Sequence, residues 1–475
     1  MMDPARDAWL RTIARFQANL DRPGSTAAWS PALDFASADE IRAVQSKKLA
    51  VAVRFAYECI PFYRRKFDAV GLEPGDIRGL EDLGKIPVTT KQEMAEDLAA
   101  NPPWGTYTSI DDRRWRESGW QTFASSGTTS HPRLFRYTQF DRRTWAWVNA
   151  RAMWAMGFRP GRDSALLAFG YGPHVWLWGV HYALNLMGIP IVTGGGLDTR
   201  ARARLIRDYA PTILCCTPSY ALHLAGVMRE MGIDPAATAV RFLFCAGEPG
   251  FAVPATRERL ERIWLAELHE FYGCTEAAPA GGGFTCSAVA ATKKGPVATH
   301  LMADAHIWET VEPDTLRRTA EGCRGLSVAT NLISEASPQL RFLVGDFTVL
   351  REGRCACGRS HPRAIGGFLG RADDMLNVRG VTLFPSSLED AIRRVPEAGD
   401  EFEIRITSER DLDVLTVLVE PGGALDDGRC EALRLRVEAE IVSRCELRPV
   451  VKIVAPGTLP KTEFKAKRVK DLRAS

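Results

Sequence analysis

The run SALLAFGYGPHVWLWGVHYALNLMGIPIVTGGGL, residues 164–197, contains no Asp, Glu, Lys or Arg, and its reading decides the fold. It is longer than the roughly 20 residues with which an apolar helix crosses a bilayer. Gly170, the pair Gly172-Pro173, Gly188, Pro190 and the triplet Gly194-Gly195-Gly196 interrupt it, and it carries His174, His181 and Asn185. Glycine and proline at those points punctuate local structure. The run is therefore expected to be a strand (164–169), a helix (176–187) and a second strand (189–193) inside a large α/β core, with no membrane segment.

The same alternation extends outward. Helices are expected at 140–156, 200–209, 220–231 behind Pro218, and 256–268, with apolar strands at 212–216 and 240–245. Strands alternating with helices of this length predict a mainly parallel sheet, whose ligands sit beyond the carboxyl ends of the strands. Upstream, residues from about 5 to 70 read as helical. The run at 57–63 is a helix end, because Pro61 lacks the donor a helix interior needs, and Thr90 with Glu93 has capping-box spacing.

From Gly281 the elements shorten, with strands at 306–312, 326–331 and 339–350. The triplet Gly281-Gly282-Gly283 and residues 290–303 read as a modified or lengthened loop. Beyond the charged turn Gly370-Arg371-Ala372-Asp373-Asp374 lies a strand (375–378), a helix (386–394), two strands (402–406, 414–419), a helix (433–443) and a strand (450–454). That is a small α+β domain of about 100 residues. Residues 1–370 and 371–475 are the expected large and small domains.

Composition excludes several classes. Of 475 residues 45% are hydrophobic and 25% charged, ordinary for a globular enzyme. A formal net charge of +3, with Lys and Arg interspersed among acids, gives no footprint for nucleic acid. The start, with Asp3, Arg6 and Asp7, lacks the apolar core of a secretory signal. Eleven scattered cysteines fit reduced thiols and a cytoplasmic location.

The stretch FASSGTTSHPR, residues 123–133, sets the hydroxyls of Ser125, Ser126, Thr128, Thr129 and Ser130 around Gly127. Hydroxyls and converging N–H groups around a permissive glycine can wrap a polyphosphate. No Gly-Lys-Ser/Thr follows, so this is not a Walker A loop, and taken alone such a cluster is more often an ordinary turn.

The loop keeps company, however. Gly247-Glu248-Pro249, Tyr272-Gly273-Cys274-Thr275-Glu276, Gly345-Asp346, Gly370-Arg371-Ala372-Asp373-Asp374 and Leu459-Pro460-Lys461-Thr462-Glu463-Phe464-Lys465 follow in order. In that sequence of motifs the chain resembles the adenylate-forming enzymes. Cys215-Cys216-Thr217-Pro218-Ser219-Tyr220 and Arg379-Gly380-Val381-Thr382-Leu383-Phe384-Pro385-Ser386 make it similar to the phenylacetate-CoA ligase family. The resemblance implies an enzyme that uses ATP and Mg²⁺ to adenylate an aromatic carboxylic acid, releases pyrophosphate, and passes the acyl group to coenzyme A.

It also implies roles. Ser125 to Ser130 would hold the β- and γ-phosphates; Gly247, Glu248 and Pro249 would line the adenine pocket and Tyr272 would stack on the base. Thr275 would contact the α-phosphate, Glu276 would carry Mg²⁺, Asp346 would bind the ribose and Arg371 would lie beside ribose and phosphate. Asp373 would be the hinge of a mobile small domain, Lys465 would reach in for adenylation, and Gly380 would let the small domain approach the pantetheine channel. Attack of a carboxylate on the α-phosphate joins two anions, a task that suits a metal on Glu276 with a lysine and an arginine. Three departures stand out: Ser130 and His131 where the family has glycine and lysine, and Phe464 where it has glycine.

Cys355-x-Cys357 ahead of Gly358 can bite one ion, and Zn²⁺ would need two further ligands. The resemblance supplies Cys286 and His306, with His300 as rival, for a structural site. An aromatic lining from Tyr171, His174, His181 and Tyr182, with Ala246, suits a flat acid, although Trp176 and Trp178 read equally well as core. Two alternatives share the ATP residues: delivery to a carrier protein or an amine, and a non-catalytic nucleotide-binding regulator. A homodimer is the family expectation.

Overall fold

In the computed structural model the uncharged run is a strand Ala165–Leu167, a helix Val175–Met187 and a strand Ile191–Thr193. The helix has 13 residues, about 20 Å at ~1.5 Å per residue, well short of the ~30 Å hydrocarbon core. Gly188 ends it in the left-handed conformation, φ +70°, which glycine adopts without a Cβ penalty. Among the described residues no helix is long and apolar enough to cross a membrane. The structure describes residues 3–125, 133–250, 252–292, 297–379, 381–409, 412–461 and 468–473.

Two compact units are formed. One comprises Met1–Ser164, Tyr171–Ile191 and Phe271–Gly367, the other Ala165–Gly170, Val192–Glu270 and Phe368–Ser475. In the first, helices Ala38–Cys59 and Pro61–Asp68 abut at Ile60. Pro61 thus closes one helix and opens the next, where its missing N–H costs nothing. Thr90 and Glu93 form the expected capping box of helix Lys91–Ala100. Helix Gln139–Ala155 is buried along most of its length, and its Arg151 donates to both carboxylate oxygens of Asp304 at 2.8 and 2.9 Å and to Asp34 at 2.9 Å. Such a bidentate pair fixes geometry as well as neutralising charge.

The sheet of this unit is antiparallel. Its strands run in the order His306–Val311, Arg324–Asn331, Phe342–Arg351, Arg363–Arg371, Ala298–Leu301, Ala278–Phe284 and the end of Glu267–Cys274. The glycine triplet expected in a loop is instead the middle of the fully buried strand Ala278–Phe284. The reason is steric: a Cβ at Gly281 would lie 1.9 Å from Phe271 Cζ, at Gly282 2.4 Å from Trp308 Cζ2, and at Gly283 2.8 Å from Thr299 Cγ2. The glycines leave room for neighbouring side chains, and Gly281, φ +84°, also takes the left-handed backbone where the pairing with Glu267–Cys274 shifts register between Tyr272 and Cys274.

In the second unit, strands Ala165–Leu167, Ile213–Cys216, Phe242–Cys245 and the start of Glu267–Cys274 pair in parallel. Helices Thr199–Tyr209, Pro218–Glu230 and Pro254–Trp264 make the connections. The C-terminal part is a four-stranded sheet in the order Val450–Ile453, Leu412–Pro421, Ala398–Glu409, Val469–Asp471. It closes with helices Pro385–Arg393 and Asp427–Cys445 over a core that includes Leu388, Ile392, Phe402, Ile404, Val417 and Ile441. The expected fold class, α/β with a β-rich part and a smaller α+β segment, is the observed one.

Candidate active site

The hydroxyl-rich stretch joins strands Gly119–Ala124 and Leu134–Thr138, which pair antiparallel with Ala124 opposite Leu134. At its base Ser125 N–H donates to Arg133 O at 2.9 Å, and Arg133 N–H to Ser125 Oγ at 3.1 Å. Ser126, Gly127, Thr128, Thr129 and Ser130 lie outside the described residues, as do Gly380 and Lys465.

Thr275 and Glu276 follow strand Glu267–Cys274 directly. Tyr137 Oη donates to Thr275 O at 3.3 Å, and Arg133 Nη2 donates to Glu276 Oε1 at 2.7 Å. Both members of that ion pair are nearly buried, with side chains 11% and 9% exposed. The hairpin therefore gathers Ser125, Thr275 and Glu276 at one place. Along the same strand, Tyr272 Oη donates to Asp346 Oδ2. Burial, and then the Asp346 charge, push the Tyr272 phenol well above its usual value, so it is a neutral donor. Gly345, φ +87° in strand Phe342–Arg351, makes the left-handed step just before Asp346.

In the other unit, Gly247, Glu248 and Pro249 follow the carboxyl end of the parallel strand Phe242–Cys245, with Ala246 buried between. Gly247 has φ +90°. Glu248 Oε1 accepts from Ser219 N–H at 2.6 Å and from the Ser219 hydroxyl. Burial raises its pKa. Arg371 ends strand Arg363–Arg371, and Asp373 belongs to the turn Ala372–Asp374.

Of the expected substrate residues, Tyr171, His181 and Tyr182 are gathered around Trp178, with ring centroids 5.7, 5.9 and 6.2 Å away. Trp120 stacks edge-on to Tyr182 at 5.3 Å. His174 precedes helix Val175–Met187, and burial lowers the pKa of both His174 and His181, favouring neutral rings.

The cysteine cluster brings one correction. Cys286, His300, Cys355 and Cys357 have ligand atoms all within 4.8 Å of one another, and His300 Nε2 is 3.5 Å from Cys357 Sγ. His306, expected as the fourth member, is not among them. Strand order decides this: His300 lies opposite Phe284 on one side and Arg363 on the other, close to where Cys286 leaves and Cys357 enters. His306 opens strand His306–Val311 at the other end of the strand order, with three strands between it and that of His300. Burial drives its pKa down to about 3, and neither ring nitrogen has a hydrogen-bond partner among the described residues. In the cluster, hydrogen bonds from Cys286 and His300 hold the Cys355 and Cys357 thiols below their usual value. Thiolates are the form that binds metal.

Arg133, Ser219 and Tyr137 were not singled out from sequence. Two of them lie within stretches that sequence marks: Arg133 closes the run at 123–133, and Ser219 belongs to the motif at 215–220.

The geometry defines a class. Residues 122–325 match the family model described as AMP-binding enzyme, and residues 380–473 the one described as AMP-binding enzyme C-terminal domain. The chain is 33% identical to a phenylacetate-coenzyme A ligase of Thermus thermophilus over 94% of its own length and 99% of the relative's. Against that of Escherichia coli it is 34% identical, over 93% and 97%. A crystal structure of 2-hydroxyisobutyryl-CoA ligase in the postadenylation state superposes with TM-score 0.88 at 29% identity, covering 98% of this chain and 96% of that one. The chain belongs to the phenylacetate-CoA ligase family of adenylate-forming enzymes. Its chemistry is ATP-dependent acyl-CoA ligation.

Proposed function

We infer that the protein activates an aromatic carboxylic acid as its acyl-adenylate and transfers the acyl group to coenzyme A. The observation that carries this reading is the aromatic group Trp120, Tyr171, Trp178 and Tyr182 with His181. Flat rings and neutral imidazoles suit an aryl acid better than a fatty chain. Phosphate binding is assigned to Ser125 to Ser130, adenine binding to Gly247, Glu248, Pro249 and Tyr272, and ribose binding to Asp346 and Arg371. Tyr272, by donating to Asp346, orients that carboxylate toward two hydroxyls. Glu276, an anionic oxygen donor, is chemically suited to Mg²⁺, which neutralises charge on the phosphates when bound. Asp373 is assigned as hinge, Gly380 to the thiol step and Lys465 to adenylation.

The likeness to 2-hydroxyisobutyryl-CoA ligase supports a second reading, a short hydroxy acid. A panel of phenylacetate, benzoates and 2-hydroxyisobutyrate, assayed for pyrophosphate and acyl-CoA, separates the two. Higher kcat/KM for an aryl acid is expected, and preference for 2-hydroxyisobutyrate would overturn the aromatic reading. Acid-dependent pyrophosphate release without acyl-CoA would move the acceptor to a carrier protein or an amine.

Cys286, His300, Cys355 and Cys357 are proposed to hold a structural Zn²⁺, since four soft or imidazole donors leave no open position. Metal analysis should find stoichiometric zinc. Cys357→Ser should remove it and lower Tm by about 5 °C or more, the scale of ~2 kcal/mol lost from a domain of this size. A zinc-free protein of unchanged Tm would contradict the assignment.

A further inference from the structure

The turn that carries Thr275 and Glu276 is held from outside its own hairpin. Strands Glu267–Cys274 and Ala278–Phe284 pair antiparallel up to Cys274 opposite Ala278, which leaves Thr275, Glu276 and Ala277 as a three-residue connection beyond the ladder. Ala277 is fully buried and Glu276 nearly so, and a buried carbonyl needs a donor. Side chains supply it. Tyr137 Oη donates to Thr275 O at 3.3 Å, and Asn331 Nδ2 donates to Ala277 O at 2.9 Å. Both donors are themselves buried, Tyr137 completely and Asn331 at 1% exposure. Asn331 ends strand Arg324–Asn331, which three strands separate from Ala278–Phe284 in the sheet order. Strand pairing alone does not bring the two together.

The two donors belong to one closed ring. Asn331 Oδ1 accepts from the N–H groups of Ile333 and Ser334 at 2.9 and 2.8 Å. The next residue, Glu335, donates its N–H to Asp141 Oδ1 at 2.7 Å, and Asp141 Oδ2 accepts from Thr138 N–H at 3.0 Å, one position beyond Tyr137. Every one of these residues is buried. A satisfied buried polar network rigidifies what it holds, and this one holds the backbone on either side of Glu276.

We propose that Asn331 and Tyr137 are positioning residues for adenylation: by fixing the carbonyls before and after Glu276, they set where that carboxylate and Thr275 meet the magnesium-bound nucleotide. The proposal rests on the roles given to Thr275 and Glu276 above. Both donors act through the turn, not on the reacting atoms. Losing either bond frees the adjoining peptide plane to rotate, and Glu276 moves with it. A misplacement of about 1 Å in such a group costs on the order of 10²-fold in rate.

Asn149 provides the control. It is as buried as Asn331, and its Nδ2 donates to Ala280 O at 2.7 Å in the same hairpin, within the strand rather than the turn. Asn331→Ala and Asn149→Ala should both lower Tm. Only Asn331→Ala should reduce kcat for acid-dependent pyrophosphate release, by about tenfold or more, and raise the KM for MgATP severalfold, with the KM for the carboxylic acid within about twofold of wild type. Wild-type kcat in Asn331→Ala, a loss confined to the acid's KM, or an equal kinetic loss in the two variants would overturn the proposal. Should Asn331→Ala fail to fold, Tyr137→Phe decides: it deletes one hydroxyl from a retained ring, and kcat should fall about threefold or more at unchanged KM for the acid, whereas wild-type kcat would count against positioning. Failure of the wild-type enzyme to release pyrophosphate with any acid of the panel would instead remove the reading of Thr275 and Glu276 on which the proposal stands.

Discussion

Glu276→Gln is expected to reduce acid-dependent release of pyrophosphate by about 10³-fold or more, since it removes the anionic oxygen that would fix Mg²⁺ against the phosphates. Glutamine is the informative replacement. Glu276 is buried and paired with Arg133 at 2.7 Å, and deleting one partner of a buried pair outright strands the other charge, at a typical cost of about 3–5 kcal/mol in stability. Glutamine keeps an acceptor oxygen facing Arg133, so the fold should survive and the deficit should lie in the chemistry. Thermal unfolding beside the pyrophosphate assay distinguishes the two. A variant that melts normally and still adenylates at more than a tenth of the wild-type rate, about 1.4 kcal/mol of barrier, would remove Glu276 from the metal role.

The second large effect is expected at Lys465. Lys465→Ala should slow formation of acyl-adenylate by about 10²–10³-fold, as loss of a single aimed donor to a charged transition state does elsewhere. Thioester formation from supplied acyl-adenylate and coenzyme A should be nearly unchanged. The asymmetry follows from the charge inventory: only the first half-reaction brings a carboxylate against a triphosphate, and only there is a further cation required. Equal loss in both half-reactions would refute the assignment. Lys461 and Lys467 are the neighbouring cations, and a selective adenylation defect in either, with Lys465→Ala active, would move the role along the chain.

What could be read from the amino-acid order divides along physical lines. Local signals survived well: the Thr90–Glu93 capping box, Pro218 at the start of helix Pro218–Glu230, and the apolar strands Ile213–Cys216 and Phe242–Cys245 all depend on a few adjacent residues. The uncharged run was legible for the same reason, since its glycines and prolines cut it before it could span a bilayer. Relations set by sheet order were not legible. His300 and His306 are six positions apart and the resemblance favours His306, with His300 as rival, but neighbouring strands bring His300 to Cys286, Cys355 and Cys357. Gly281-Gly282-Gly283 looked like a flexible connection because glycine carries two meanings, freedom of the backbone and absence of a side chain. Here Trp308 and Thr299 make the second meaning the relevant one at Gly282 and Gly283, while Gly281, against Phe271 and with φ +84°, needs both. Arg133 escaped because its importance lies in its partner, 143 residues away.

Single-turnover mass spectrometry addresses the account most directly. Enzyme mixed with ATP, Mg²⁺ and an aryl acid should accumulate acyl-AMP with an equivalent of pyrophosphate, and addition of coenzyme A should convert that adenylate to acyl-CoA and AMP. Acyl-CoA formed with no adenylate preceding it, or no acyl-AMP from any acid of the panel, would contradict it.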